Sequence, residues 1–305
     1  MRRIHPILML TILLLTVYYA KAQQGKFFPS VMTETKYLSS SIVGDEFEIS
    51  VSLPLFARRD TTYPVLYVTD ANIDFAMTTQ IASMLQLGNE VPRVILVGIG
   101  YRTDSLSKWL ALRSKHLTPT AIPDPTGNKW STGGASLFLR FIREELMPFI
   151  RANYPASQSS AYLGYSYGGL FGLYVLFHHP ETFERYIIGS PSIWFDSTVT
   201  LRYEEQYAST HSDLPARVFM SAGQLEEKLG VKYNMVGNLR ILADRLLKRR
   251  YPTFRLDTVV IDAETLDLTQ LDRQLEKPVS SREGELAWIQ TRSVRRTIDN
   301  LRSML

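Results

Sequence analysis

Residues 162–170 read YLGYSYGGL. Ser166 stands two positions from Gly164 on one side and from Gly168 on the other. The apolar stretch SAYLG leads in, and GGLFGLYVLFHH leads out as far as Pro180. The first reads as a buried strand and the second as a helix, which the proline stops because it has no N–H and clashes with the preceding turn. A G-x-S-x-G at the junction of strand and helix is the pattern of a nucleophile elbow. The glycines belong where neighbouring backbone comes too close to tolerate a Cβ. Such a turn lifts the Ser166 hydroxyl above the sheet edge and aims the Tyr167 backbone N–H at a developing oxyanion. A hydroxyl is a weak nucleophile until a base takes its proton. The elbow therefore raises the question of where the base is.

Outward from the elbow, further apolar runs read as strands: 46–54, which alternates, then 63–70, 93–101, 185–190, 217–223 and 254–262. Helical periodicity marks 72–87, 135–150 and 238–250. Buried strands that alternate with helices predict an α/β protein, a mainly parallel doubly wound sheet with helices on both faces. Residues 102–134, rich in polar residues and ending TPTAIPDPTGNKWSTGG, read as one long loop. A loop of that length inside a compact domain is usually functional.

Several separate segments resemble one known family in the same order. They are YPVLYVTDAN, VILVGIGY, LTPT, GGASLFLRFIREELMPFI, YLGYSYGGLFGLYVLFHHPETFERYIIGSPSIWFD and SAGQLEE. Together they are similar to the α/β-hydrolase esterases that include enterochelin (ferric-siderophore) esterases and esterase D-like enzymes. The resemblance spans about residues 43–264. It implies an α/β-hydrolase fold with an eight-stranded sheet, and hydrolysis of carboxylic esters through an acyl-enzyme. The implied substrate is a small-molecule ester, siderophore-like among the options, and no cofactor or metal is implied. Ser166 falls on the family's nucleophile. Tyr167, with Gly100 or Tyr101 at the end of VILVGIGY, would form the oxyanion hole. The acid follows the strand ending SAG, which selects Glu226, with Glu227 as the alternative.

The family's histidine belongs in a G-E-T-H-type segment after the next strand. Here that segment reads DAETLDLTQ, and Leu266 stands in the histidine's place. No histidine follows His211. His178 and His179 end the elbow's helix, roughly 16 Å from its start at 1.5 Å per residue. His211 precedes a strand and so sits at the sheet's amino edge, whereas sites in such sheets form at the carboxyl edge. His116, in RSKHLTPT, is the one candidate base on the carboxyl side. It would place the triad in the chain order His, Ser, Glu instead of the fold's Ser, acid, His. The alternative is a loop histidine that lines the pocket. A chain without a working base is a binding protein on a hydrolase fold, or one whose end comes from an altered reading frame. Val294, Ile298, Leu301 and Leu305 share one helical face, which favours a genuine closing helix.

The first residues have their own logic. Arg2 and Arg3 precede an apolar run of 14 residues, 7–20, and then Ala20-Lys21-Ala22. A membrane-spanning helix needs about 20 apolar residues. The shorter run predicts a signal peptide over 1–22, cleaved after Ala22, and a single periplasmic or secreted domain over 23–305 with no stable membrane span. Removing the leader's three positive residues takes the formal net charge from +4 to +1. With no basic stripe interleaved with aromatics, nucleic acid is not an expected partner. The absence of cysteine excludes disulfides and thiolate chemistry. Trp130 and Trp194 are placed to shape an apolar pocket or to pack. Arg102, Lys108, Arg113 and Lys115 give the long loop a basic tilt that suits either an anionic ligand or plain solvation.

Overall fold

Apolar runs without alternation become strands buried on both faces, and those strands carry the middle of the molecule. The computed structural model describes residues 33–261 apart from 59, 124–129 and 230–232. The leader, the expected closing helix and the segment with Glu264, Thr265 and Leu266 lie outside the described residues. The strands are β1 Thr33–Ser39, β2 Glu46–Ser52, β3 Tyr63–Thr69, β4 Ile95–Tyr101, β5 Ala156–Tyr165, β6 Arg185–Gly189, β7 Arg217–Gly223 and β8 Arg255–Ile261. The helices are α1 Ala71–Leu87, α2 Leu106–Leu117, α3 Ala135–Phe141, α4 Met147–Asn153, α5 Tyr167–His178, α6 Phe195–Thr210 and α7 Met235–Arg249. A π-helical turn, Ile142–Leu146, joins α3 to α4.

All eight strands form one sheet in the order β1-β2-β4-β3-β5-β6-β7-β8. β1 and β2 pair antiparallel with their neighbours, and the six strands from β4 to β8 are parallel. This is the eight-stranded, mostly parallel α/β-hydrolase sheet that the resemblance implied. The order positions the site. β4 lies outside β3, so the two strands that flank β5 are β3 and β6. The turns that leave β3 and β6 therefore adjoin the elbow at the end of β5.

Side chains alternate across the sheet, and each face has its own core. Tyr63, Val65 and Tyr67 enter a large core shared with residues of α2 to α7, while Leu66 and Val68 meet Phe75 and Ala82 of α1 on the opposite face. α5 is apolar all round, and Leu170, Phe171, Leu173, Val175 and Leu176 are fully buried. A helix with no polar face belongs in the middle of a core.

Three elements depart from the sequence expectation. The long loop at 102–134 contains α2, capped by Ser105, whose Oγ accepts from Lys108 N–H at 3.3 Å. LSKWLALRSKHL has a weak apolar stripe, so periodicity alone passed over it, although a serine at the cap was available as a signal. β1, TETKYLS, is an edge strand with mostly exposed side chains, which leaves no alternation to read. α6 is likewise mostly polar.

Candidate active site

Ser166 has φ 57° and ψ −113° between the last residue of β5 and the first of α5. An L-residue adopts that conformation only when its surroundings over-determine it. Here they do. Ser166 N–H donates to Gly189 O at 3.0 Å, and Ser166 O accepts from Leu170 N–H at 2.9 Å and from Ser192 N–H at 3.1 Å. A Cβ on Gly164 would lie 2.6 Å from the Gly168 carbonyl, and one on Gly168 would lie 2.6 Å from Thr69 Oγ1. Buried Tyr162 closes the turn from below. Its hydroxyl donates to Gly168 O at 2.7 Å and bonds Thr69 Oγ1 at 3.0 Å. The Ser166 Oγ itself lies 3.3 Å from Ser192 Oγ, on the loop after β6.

Tyr167 begins α5, so its backbone N–H belongs to a helix amino terminus, where N–H groups point outward. Gly100 and Tyr101 are a correction. They end β4, and β3 separates β4 from β5, which puts them about 9–10 Å from the elbow strand at the usual strand spacing. The Tyr101 N–H is also engaged, donating to Asn72 Oδ1 at 2.8 Å. The turn that touches the elbow is Thr69-Asp70-Ala71, after β3. A Cβ on Gly168 would come within 3.6 Å of Asp70 Oδ2. Asp70 is left-handed, φ 54°, and 2 % exposed. Arg113 of α2 holds its carboxylate in a two-pronged bond, Nε to Oδ1 at 2.9 Å and Nη2 to Oδ2 at 2.8 Å. The same guanidinium lies over the Trp109 and Tyr167 rings. Local sequence pattern does not single out Asp70, because which turn adjoins the elbow depends on strand order.

Glu226 follows β7 on a short 3₁₀ turn, Gln224–Leu229. Its Oε1 accepts from Ser190 Oγ at 2.7 Å and from Tyr165 OH at 3.0 Å. Tyr165 immediately precedes the elbow serine, so the carboxylate stands beside the site. Glu227 faces away, accepting from Gln224 Nε2 at 2.6 Å and lying near Arg240. The structure thus groups Ser166, Tyr167 and Glu226 at one edge of the sheet.

His116 is a second correction. It sits on the last turn of α2, not in a loop, and is fully buried. Its Nε2 meets Asp45 Oδ2 at 2.9 Å, its Nδ1 meets Tyr101 OH at 3.4 Å, and its ring stacks on Phe138. Both ring nitrogens are thereby turned to the β2–β4 side of the core. Burial pushes the imidazole down to about 4, against the pull of Asp45, so it is neutral at pH 7. Burial acts to raise Asp45, but hydrogen bonds from Lys115 and His116 outweigh it and hold its carboxyl below the ordinary value. His178 bonds Tyr174 O and stacks on that ring, His179 lies against Arg143 and Glu181, and His211 stacks on Tyr207. Among the described residues no histidine bonds Ser166 or Glu226.

The basic tilt of 102–115 is largely neutralised: Arg102 pairs with Glu46, Arg113 with Asp70 and Lys115 with Asp45. Trp194 is half-buried and packs edge-on against Tyr233 at 4.8 Å and near Tyr167 at 6.1 Å, so it walls the elbow. Trp130 is half-buried beside residues outside the description.

Comparison with known proteins gives a consistent result. A family model described as "Putative esterase" matches residues 39–236. The chain is 34% identical over 226 residues to the ferri-bacillibactin esterase BesA of Bacillus subtilis, across 70% of this chain and 77% of that protein. It is 32% identical over 195 residues to a siderophore triacetylfusarinine C esterase of Aspergillus fumigatus, across 60% of this chain and 65% of that one. Among solved structures, the BES protein from Bacillus cereus matches with a TM-score of 0.68 at 29% identity, across 83% of this chain and 97% of that one.

Proposed function

The chain belongs to the "Putative esterase" family, and from that premise we propose that it is a serine-dependent esterase of siderophore-like carboxylic esters that turns over slowly for want of an imidazole. The observation that carries this reading is the backbone of Ser166, φ 57° and ψ −113°, at the start of a mostly apolar, largely buried helix. Strain of that kind is kept at a nucleophile because it presents the hydroxyl while backbone N–H groups stand behind it.

In this reading Ser166 Oγ attacks the ester carbonyl carbon. The Ser166 proton passes to water, and the carbonyl oxygen becomes an oxyanion that takes hydrogen bonds from Tyr167 N–H and from an N–H of the Asp70-Ala71 turn. The oxyanion collapses as the ester C–O bond breaks, and the departing alkoxide takes a proton from water. A further water later hydrolyses the acyl-enzyme to release the acid. Such preorganised donors are worth about 10²–10³ in kcat each. Glu226 supplies the acid that would orient a base. The base is the deficient part. Leu266 stands at the family's histidine position, and His116 is held by Asp45. Loss of a triad histidine costs about 10⁶ in kcat, with a residue of catalysis left to the oxyanion hole and binding. The second reading, a ligand-binding protein on the same scaffold, draws on that deficit.

A fluorophosphonate probe separates the two. We expect stoichiometric labelling that Ser166→Ala abolishes, with very slow release of product from a siderophore-like ester. No labelling of the wild-type chain would leave only the binding reading. We also infer export from the leader pattern; amino-terminal sequencing of the protein recovered outside the cytoplasm should begin at Gln23, and an intact Met1 start would refute it.

A further inference from the structure

The loop after β6, Ser190-Pro191-Ser192, is fixed by its backbone. Ser190 N–H donates to Ser221 O at 2.7 Å, Ser192 N–H to Ser166 O at 3.1 Å and Ile193 N–H to Pro191 O at 2.7 Å. Pro191 packs so closely on α5 that a Cβ on Gly169 would lie 2.9 Å from its Cα. Ser190 is held left-handed, φ 38°. The two hydroxyls are sequestered, Ser190 at 3% and Ser192 at 1% exposed. Each has a partner in the site. Ser190 Oγ donates to Glu226 Oε1 at 2.7 Å, and Ser192 Oγ lies 3.3 Å from Ser166 Oγ. Buried hydroxyls keep a partner, and for Ser192 that partner is the elbow hydroxyl itself.

We infer that Ser192 is a positioning residue for the Ser166 hydroxyl, and that one rigid three-residue loop sets both the nucleophile and the acid of the site. The inference rests on the reading of Ser166 as nucleophile. A serine side chain has three staggered wells, and the bond to Ser192 selects the one beside the β6 loop. With Ser166 donating, its lone pairs turn away from Ser192 and toward an incoming carbonyl. Once that oxygen carries an acyl group it has no hydrogen to give, and Ser192 becomes the donor to it. Neither partner needs to move between the two states, because the backbone bond between the same two residues holds them in register.

The test is the concentration dependence of fluorophosphonate labelling in wild type, Ser192→Ala, Ser192→Cys and Ser166→Ala. The maximal labelling rate should fall about tenfold in Ser192→Ala, the size of one net hydrogen bond. The half-saturating probe concentration and the melting temperature should stay unchanged. Ser192→Cys, which keeps a weak donor and acceptor, should recover part of the rate. Equal maximal rates in wild type and Ser192→Ala overturn the inference and leave the nucleophile reading standing. A rate loss that comes with a lower melting temperature, and that Ser192→Cys does not restore, makes Ser192 a packing residue and overturns it as well. A wild-type chain that never labels removes the nucleophile reading and this inference together.

Discussion

At the scale of the residue, the elbow is a problem of space before it is one of chemistry. Gly164 is hemmed in by the Tyr162 hydroxyl and by backbone: the Gly168 carbonyl stands 2.6 Å from where a Cβ would go. Backbone inside a buried helix cannot yield as a flexible side chain can. Gly164→Ala should therefore cost about 1–3 kcal/mol, the usual penalty of overpacking, and should displace Ser166. Chemical denaturation together with fluorophosphonate labelling checks this, and a fully stable, fully labelled variant would contradict the geometry. Such positions are legible from sequence because G-x-S-x-G states the crowding directly. His116 is the opposite case. Its chemistry could be read from the sequence, but its environment could not, since Asp45 and Tyr101 reach it from 71 and 15 residues away.

At the scale of the element, α2 braces the turn after β3. Arg113 and Asp70 are 11% and 2% exposed, and the pair spans helix and turn. Removing one member of a buried pair strands the other charge and costs about 3–5 kcal/mol, whereas replacing both is often close to neutral. Arg113→Met alone should be the more destabilising change, and adding Asp70→Asn should restore much of the loss, since Asn also tolerates the left-handed backbone that Asp70 adopts. A double-mutant cycle by urea unfolding measures it. Additive losses would mean that the pair contributes nothing as a unit. The sequence concealed this element for a physical reason. α2 is buried through scattered contacts rather than a continuous apolar stripe, so the helical period was faint, and 102–134 read as a loop.

At the scale of the whole molecule, acid should act through the centre of the large core. The folded His116 titrates near 4 instead of its ordinary 6.5. A histidine kept neutral by folding takes up its proton more readily when unfolded, so its contribution is complete above pH 6.5 and declines as pH falls toward 4. At about 1.4 kcal/mol per pKa unit, the loss is about 3 kcal/mol. The depressed carboxyl of Asp45 works in the same direction at lower pH, below its ordinary 3.8. His116→Gln should flatten the stability profile between pH 6.5 and 4 relative to wild type. Parallel profiles for the two chains would show that the ring is not a buried neutral group.

What the sequence determined by itself is what local pattern can encode. Strand-to-helix alternation set the α/β class, the strand–G-x-S-x-G–helix pattern singled out Ser166 and Tyr167 as candidates, and the family resemblance singled out Glu226 with Glu227 as the alternative. What only the tertiary structure decided is what strand order encodes. Because β3, not β4, lies against β5, the turn that adjoins the elbow is Asp70-Ala71 and not Gly100-Tyr101. Because β6 lies on the other side, Ser190 came to bond Glu226 and Ser192 to bond Ser166. Neighbours across a parallel sheet are set by crossover connections many residues long, and no short window of sequence holds both ends of such a connection.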